Sequence, residues 1–109
     1  MRRGDLVTVA GGGDYAGKPR PAVIVQSDDF GGSQGVTLCL LTGEEVDAPL
    51  LRVGIDPTPA NGLRQPSWIM VEKISTVPRR KLGPVFGRLA DTDMARLNRS
   101  LAVFLGLAG

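Results

Sequence analysis

The chain has 109 residues, with 13 Lys and Arg against 11 Asp and Glu and a hydrophobic share of 42%, which predicts one packed domain over residues 1–109 and excludes wholesale disorder. It has no histidine and a single cysteine, Cys39; that rules out an intrachain disulfide framework, Ser–His and Cys–His nucleophilic pairs, and the Cys/His sets that hold zinc. Charge is uneven: residues 1–60 carry five basic and eight acidic side chains and residues 61–109 eight and three, so the halves differ as −3 against +5, a bias that suits a polyanion without demanding one.

Fifteen Gly and eight Pro predict many turns and therefore short strands. The first strand is expected over residues 6–10, where Leu6, Val7 and Val9 follow Gly4-Asp5. Residues 11–17 are too rich in glycine for regular structure and read as a mobile connection. They lack the Lys-Ser/Thr pair and following helix of a phosphate-binding loop. Residues 21–26 are a dense β-branched run and a buried strand. A loop with room for one helical turn covers residues 27–33, and a third strand, carrying Cys39 as a buried thiol, covers residues 36–42. A charged turn at residues 44–47 leads to a fourth strand over residues 49–53. Pro57, Pro59 and Gly62 break the chain before a fifth strand at residues 68–71. A short strand or turn over residues 85–89 follows the basic stretch Arg79-Arg80-Lys81.

The period then changes. Met94, Leu97, Leu101, Phe104 and Leu105 form one stripe of an amphipathic helix, with Asp91 or Asp93 placed to cap it. The opening Met-Arg-Arg-Gly-Asp turns to glycine before a signal sequence could form, and no apolar stretch approaches a membrane span. No membrane association and a cytoplasmic location are expected. Short strands with one terminal helix define an α+β chain, mainly β, built on a small antiparallel barrel or half-open sheet.

Four blocks in this order resemble the MazF/PemK toxin family. They are Arg3-Gly4-Asp5-Leu6-Val7; the basic, proline-flanked Gly17-Lys18-Pro19-Arg20-Pro21 running into Ala22-Val23-Ile24-Val25; Leu40-Leu41-Thr42; and residues 62–77, with Trp68-Ile69-Met70-Val71-Glu72-Lys73, followed by Lys81-Leu82-Gly83 and Gly87-Arg88-Leu89. The resemblance implies an SH3-like small antiparallel barrel of the CcdB/MazF type with a C-terminal helix. It also implies a homodimer that cleaves single-stranded RNA without a cofactor or metal, and a cognate antitoxin protein that neutralises it. Carried over by position, Arg20 matches the catalytic arginine, Thr42 the active-site threonine, and Glu72 an acidic residue given an acid–base role. Ser75 stands where the family often has arginine, and Lys73 where it often has glutamine.

This composition suits such chemistry, because a cut that uses the RNA's own 2′-hydroxyl needs no protein nucleophile. The protein must supply positive charge against the developing phosphorane and a route for protons. Arg20 offers a planar fork of donors, Thr42 a hydroxyl, and Glu72 a carboxylate that could accept the 2′-hydroxyl proton if desolvated. Lys18, Arg64 and Lys73 are candidates for RNA contact, and Arg79, Arg80 and Lys81 for phosphate contact. A carboxylate simply paired with Lys73 or Arg64 is the other reading of Glu72. At the level of function, a CcdB-like gyrase poison and a non-catalytic SH3-like module binding nucleic acid or peptide stay open.

Overall fold

The computed structural model describes residues 1–11 and 18–108, so the glycine-rich connection, apart from Gly11, lies outside the described residues. Among the described residues there are seven strands, β1 (Asp5–Val9), β2 (Arg20–Ile24), β3 (Gly35–Thr42), β4 (Arg52–Ile55), β5 (Ser67–Met70), β6 (Ser75–Pro78) and β7 (Leu82–Arg88), followed by helix α1 (Asp91–Phe104). All pair antiparallel, in the order β4-β5-β3-β2-β1-β7. β3 organises the sheet. One of its edges takes β2, while the other is shared by β5, at Leu41 and Thr42, and β6, from Gly35 to Leu38. A 3-10 turn, Val71–Lys73, carries the chain across the step between β5 and β6.

Period-two alternation divides the apolar residues between the two sheet faces. Leu6, Val23, Cys39, Leu41, Val53, Ile55 and Ile69 form one core, closed by Leu97 and Leu101 of α1. Val7, Val9, Ala22, Ile24, Val36 and Leu38 form a second on the opposite face, where Val77 and Leu82 pack as the sheet curls over itself. The result is an open, barrel-like antiparallel sheet with one terminal helix.

Several elements fall where expected and some do not. β4 starts at Arg52 because Pro49 and Leu50 belong to a turn, with the Ala48 carbonyl accepting from the Leu51 and Arg52 amides, each at 2.9 Å. β6 has no apolar alternation to announce it. β7 is longer than expected: its register against β1 shifts twice, which breaks the alternation that would reveal it. Neither Asp91 nor Asp93 caps α1. Ala90 occupies the cap without a side-chain bond, and both acids sit in the first turn, where they favour the helix dipole. Of the expected stripe, Leu97 and Leu101 are buried, whereas Phe104 and Leu105 remain 42% and 51% exposed.

Candidate active site

Arg20 opens β2 and Thr42 ends β3. The two strands pair as Ala22↔Leu40, Val23↔Cys39 and Ile24↔Leu38; continued by two residues, the same register sets Arg20 across from Thr42. Alternation places both side chains on the face of Ala22 and Leu40. Cross-strand neighbours of this kind stand about 4.5–5.5 Å apart at Cβ, so the pair can address one phosphate. A cavity of about 360 Å³ opens there, lined by Val9, Gly11, Arg20, Leu40, Val77 and Lys81 among others. Lys81 thus joins Arg20 because β7 returns beside β1, with Leu82 across from Val9. Thr42 is half-buried, and its Oγ1 accepts the Glu44 amide at 3.1 Å, which turns the hydroxyl hydrogen away from the backbone.

Glu72 has a different setting from Arg20 and Thr42. Arg52 Nε donates to both carboxylate oxygens, at 3.0 and 3.1 Å, and Nη2 donates to Oε2 at 2.9 Å. The hydrogen bonds from Arg52 hold the Glu72 carboxyl below the usual carboxylate range, against a smaller opposing effect of burial. An acidified carboxylate with both oxygens engaged is a poor base. Its turn lies between β5, which pairs with β3 at Leu41 and Thr42, and β6, which resumes opposite Leu38. The partner is neither Lys73 nor Arg64, because β4 pairs with β5 through Arg52↔Met70 and so brings Arg52 to the turn. Burial, with the nearby Glu72 charge, pushes the Cys39 thiol up to about 12, so it stays protonated and inert.

The remaining candidates divide by position. Lys18 is exposed, two residues before Arg20. Arg64 is exposed and borders a groove formed with Pro19, Pro21 and Phe86. Lys73 is exposed beside Glu72. Arg79 is committed to the fold, donating to the Gly31 carbonyl at 2.8 Å and the Ser33 carbonyl at 2.8 and 3.2 Å. Sequence reading missed Arg52, although a lone charge inside Leu50-Leu51-Arg52-Val53 was its available signal. Among the described residues, no three His, Cys, Asp or Glu side chains gather as a metal cage, and no helix is long and apolar enough to cross a membrane.

An open antiparallel barrel with an arginine and a threonine facing each other at one sheet end defines a class of small β protein, and comparison with known proteins narrows it. Residues 2–105 match the family model for the PemK-like, MazF-like toxin of type II toxin-antitoxin systems. A curated relative named "Probable endoribonuclease MazF", from Mycolicibacterium smegmatis, is 53% identical over the full length of both chains. The fold is shared with a mycobacterial endoribonuclease solved with its cognate antitoxin (TM-score 0.79, 22% identity, 100% of this chain and 98% of that one). It is also shared with a chain from a MazE-MazF structure of Deinococcus radiodurans (TM-score 0.81, 17% identity, 99% and 98%). The chain belongs to the PemK-like, MazF-like toxins of type II toxin-antitoxin systems.

Proposed function

We propose that this chain is an endoribonuclease toxin that cuts single-stranded RNA at the shared end of β2 and β3, with Arg20 and Thr42 as its catalytic residues. The observation that carries the reading is the strand register that sets these two across from each other on one face. Family membership and the 53% identical relative named as an endoribonuclease support it over a gyrase poison or a non-catalytic module.

The 2′-oxygen attacks the adjacent phosphorus, forming a 2′-O–P bond as the bond to the 5′-oxygen breaks. The products are a 2′,3′-cyclic phosphate and a 5′-hydroxyl. The 2′-hydroxyl proton passes to water, and water returns one to the leaving oxygen, so no side chain is consumed. Arg20 donates its fork to the non-bridging oxygens, where negative charge builds. Thr42 donates its hydroxyl hydrogen to the same phosphate, and Lys81 adds charge at the cavity wall. No metal or cofactor takes part, and the RNA substrate places the reaction in the cytoplasm. A 2′-deoxy sugar at the attacking position should abolish cleavage, and excess EDTA should leave it intact. Cleavage of the deoxy substrate, or a 3′-hydroxyl on the upstream fragment, would overturn this chemistry.

The toxin works as a homodimer neutralised by a cognate antitoxin segment that covers the Arg20 end. Support for pairing comes from the apolar end of the C-terminal segment, where Phe104, Leu105 and Leu107 are exposed. Sedimentation showing only monomer at micromolar concentration would refute the dimer. Absence of any co-encoded polypeptide that suppresses cleavage would refute the antitoxin.

A further inference from the structure

Beside the phosphate site lies a groove of about 610 Å³, lined by Thr8, Pro19, Pro21, Leu63, Gln65 and Phe86 among others, with Arg64 at its border. That volume is in the range of small-ligand sites, roughly 300–1,000 Å³. Pro19 and Pro21 flank Arg20 in the chain, and alternation along β2 points them to the opposite face. The groove is therefore separated from the Arg20 side chain only by the thickness of the strand. At its other wall Gln65 packs over Gly43, the residue after Thr42; a Cβ there would stand 2.7 Å from Gln65 Nε2. Groove and phosphate site thus share one rim, where β2 begins and β3 ends.

The groove wall is fixed before anything binds. Asn61 is 2% exposed, and its side chain ties the loop to itself: Nδ2 donates to the Asp56 carbonyl at 2.9 Å, and Oδ1 accepts the Thr58 and Leu63 amides, each at 3.0 Å. Gly62 follows at φ +68, so close to β7 that a Cβ would meet the Phe86 carbonyl at 2.6 Å. Gly87 lets the Asn61 carbonyl approach just as closely. Leu63 and Gln65, which follow, line the groove together with Phe86. Prolines, Leu63 and the half-exposed Phe86 ring supply apolar surface, while the Gln65 amide offers a donor and an acceptor and bonds no other described residue through its side chain.

We infer that this groove takes one nucleobase of the RNA, next to the phosphate held by Arg20 and Thr42, with Phe86 stacking on the base and Gln65 reading its edge. The inference rests on the nuclease reading and names the substrate contact that sets sequence preference. Single-stranded RNA is recognised by such pairs, an aromatic or apolar wall for the flat face and an amide for the edge. The continuity with the phosphate site, across one strand, favours a base of the same RNA over a separate ligand.

The test uses an RNA containing a mapped cleavage site, made uncleavable by one 2′-deoxy sugar. Each nucleotide near the cut is replaced in turn by an abasic one, and binding to the full-length protein is followed by fluorescence anisotropy. One position beside the scissile phosphate should lose roughly tenfold in affinity, the scale of one stacked base. Gln65→Ala and Phe86→Leu should each weaken binding of the intact RNA and make that position insensitive to base removal, leaving other positions unchanged. In cleavage, Gln65→Ala should relax discrimination among bases there by about tenfold. Equal sensitivity to base removal in parent and variants, with thermal unfolding unaltered, would overturn the inference. So would variants that keep base preference but escape the antitoxin, which would make the groove a peptide site. Should the parent cut no RNA, the nuclease reading fails by itself, and the same abasic scan on a single-stranded RNA that the protein binds, compared between parent and the Gln65→Ala and Phe86→Leu variants, still decides the groove.

Discussion

Two arginines begin strands in this protein, and they meet different surroundings. Arg52 opens β4, and its side chain, 12% exposed, is enclosed by the sheet and clamped on Glu72. Arg20 opens β2 and borders a cavity shared with Lys81, across the sheet from Thr42. Residue type and strand position are the same. Among the described residues, tertiary structure delivers a carboxylate from the turn after β5 to Arg52, and a hydroxyl and a second cation to the Arg20 end. An enclosed charge clamped on a carboxylate fixes geometry, whereas a cationic rim beside a donor hydroxyl is suited to an incoming anion.

The largest effect should come from the Arg20 end. Arg20→Ala is expected to lower cleavage by about two orders of magnitude or more, as loss of one preorganised donor to a developing oxyanion does. Stability should change by about 0.5 kcal/mol or less, since the position lies at a loop-to-strand junction. Single-turnover rates together with urea denaturation check both halves. A folded Arg20→Ala protein that cuts like the parent would dissolve the contrast between the two arginines.

Glu72→Gln should show the reverse pattern. It leaves Arg52 enclosed without its counter-charge, at a cost of about 1–3 kcal/mol in stability. Cleavage at a temperature where the variant stays folded should fall less than tenfold, with the pH profile unchanged in shape. A profile that lost its acidic limb, where a carboxylate base becomes protonated, would make Glu72 the proton acceptor.

The strands with dense β-branched runs were legible in the sequence, because burial on both faces writes itself into β2 and β3 as near-continuous apolar text. The Leu97–Leu101 stripe of α1 was equally plain. β6 was not, for Ser75 and Thr76 are exposed and Pro78 ends the strand; its existence depends on the free edge of β3. At the site, Arg20 and Thr42 were named from family resemblance, but their opposition needed the register. The Arg52–Glu72 pair was invisible for the same reason. Twenty residues separate its members, and only the pairing of β4 with β5 brings them together.

Thr42→Ala is expected to cost cleavage about tenfold, less than Arg20→Ala, because one neutral hydroxyl contributes less than a charged fork. Thr42→Ser should recover most of the rate by restoring the donor. If Thr42→Ser were as slow as Thr42→Ala, the methyl group and the packing of the strand end would explain the loss, and the hydroxyl would drop out of the mechanism.

The smallest expected effect is a dependence of stability on acid at the Arg52 corner. Hydrogen bonds from Arg52 lower the folded-state pKa of Glu72, while the unfolded chain titrates near the ordinary glutamate value of about 4.3. The unfolded state therefore binds the proton first, and the pair's contribution is complete above that value. It is lost as pH falls through the folded pKa. Urea denaturation of the parent and of Glu72→Gln, compared from about pH 6 down to about pH 3, should show a stability gap that narrows as the solution becomes more acidic. The parent loses a contribution that the glutamine variant never had. A gap between parent and Glu72→Gln that stayed constant to the acid limit would mean that the Arg52 contacts do not favour the charged form of Glu72. The carboxylate would then be available for proton transfer, and the division of labour between the two arginines would have to be redrawn.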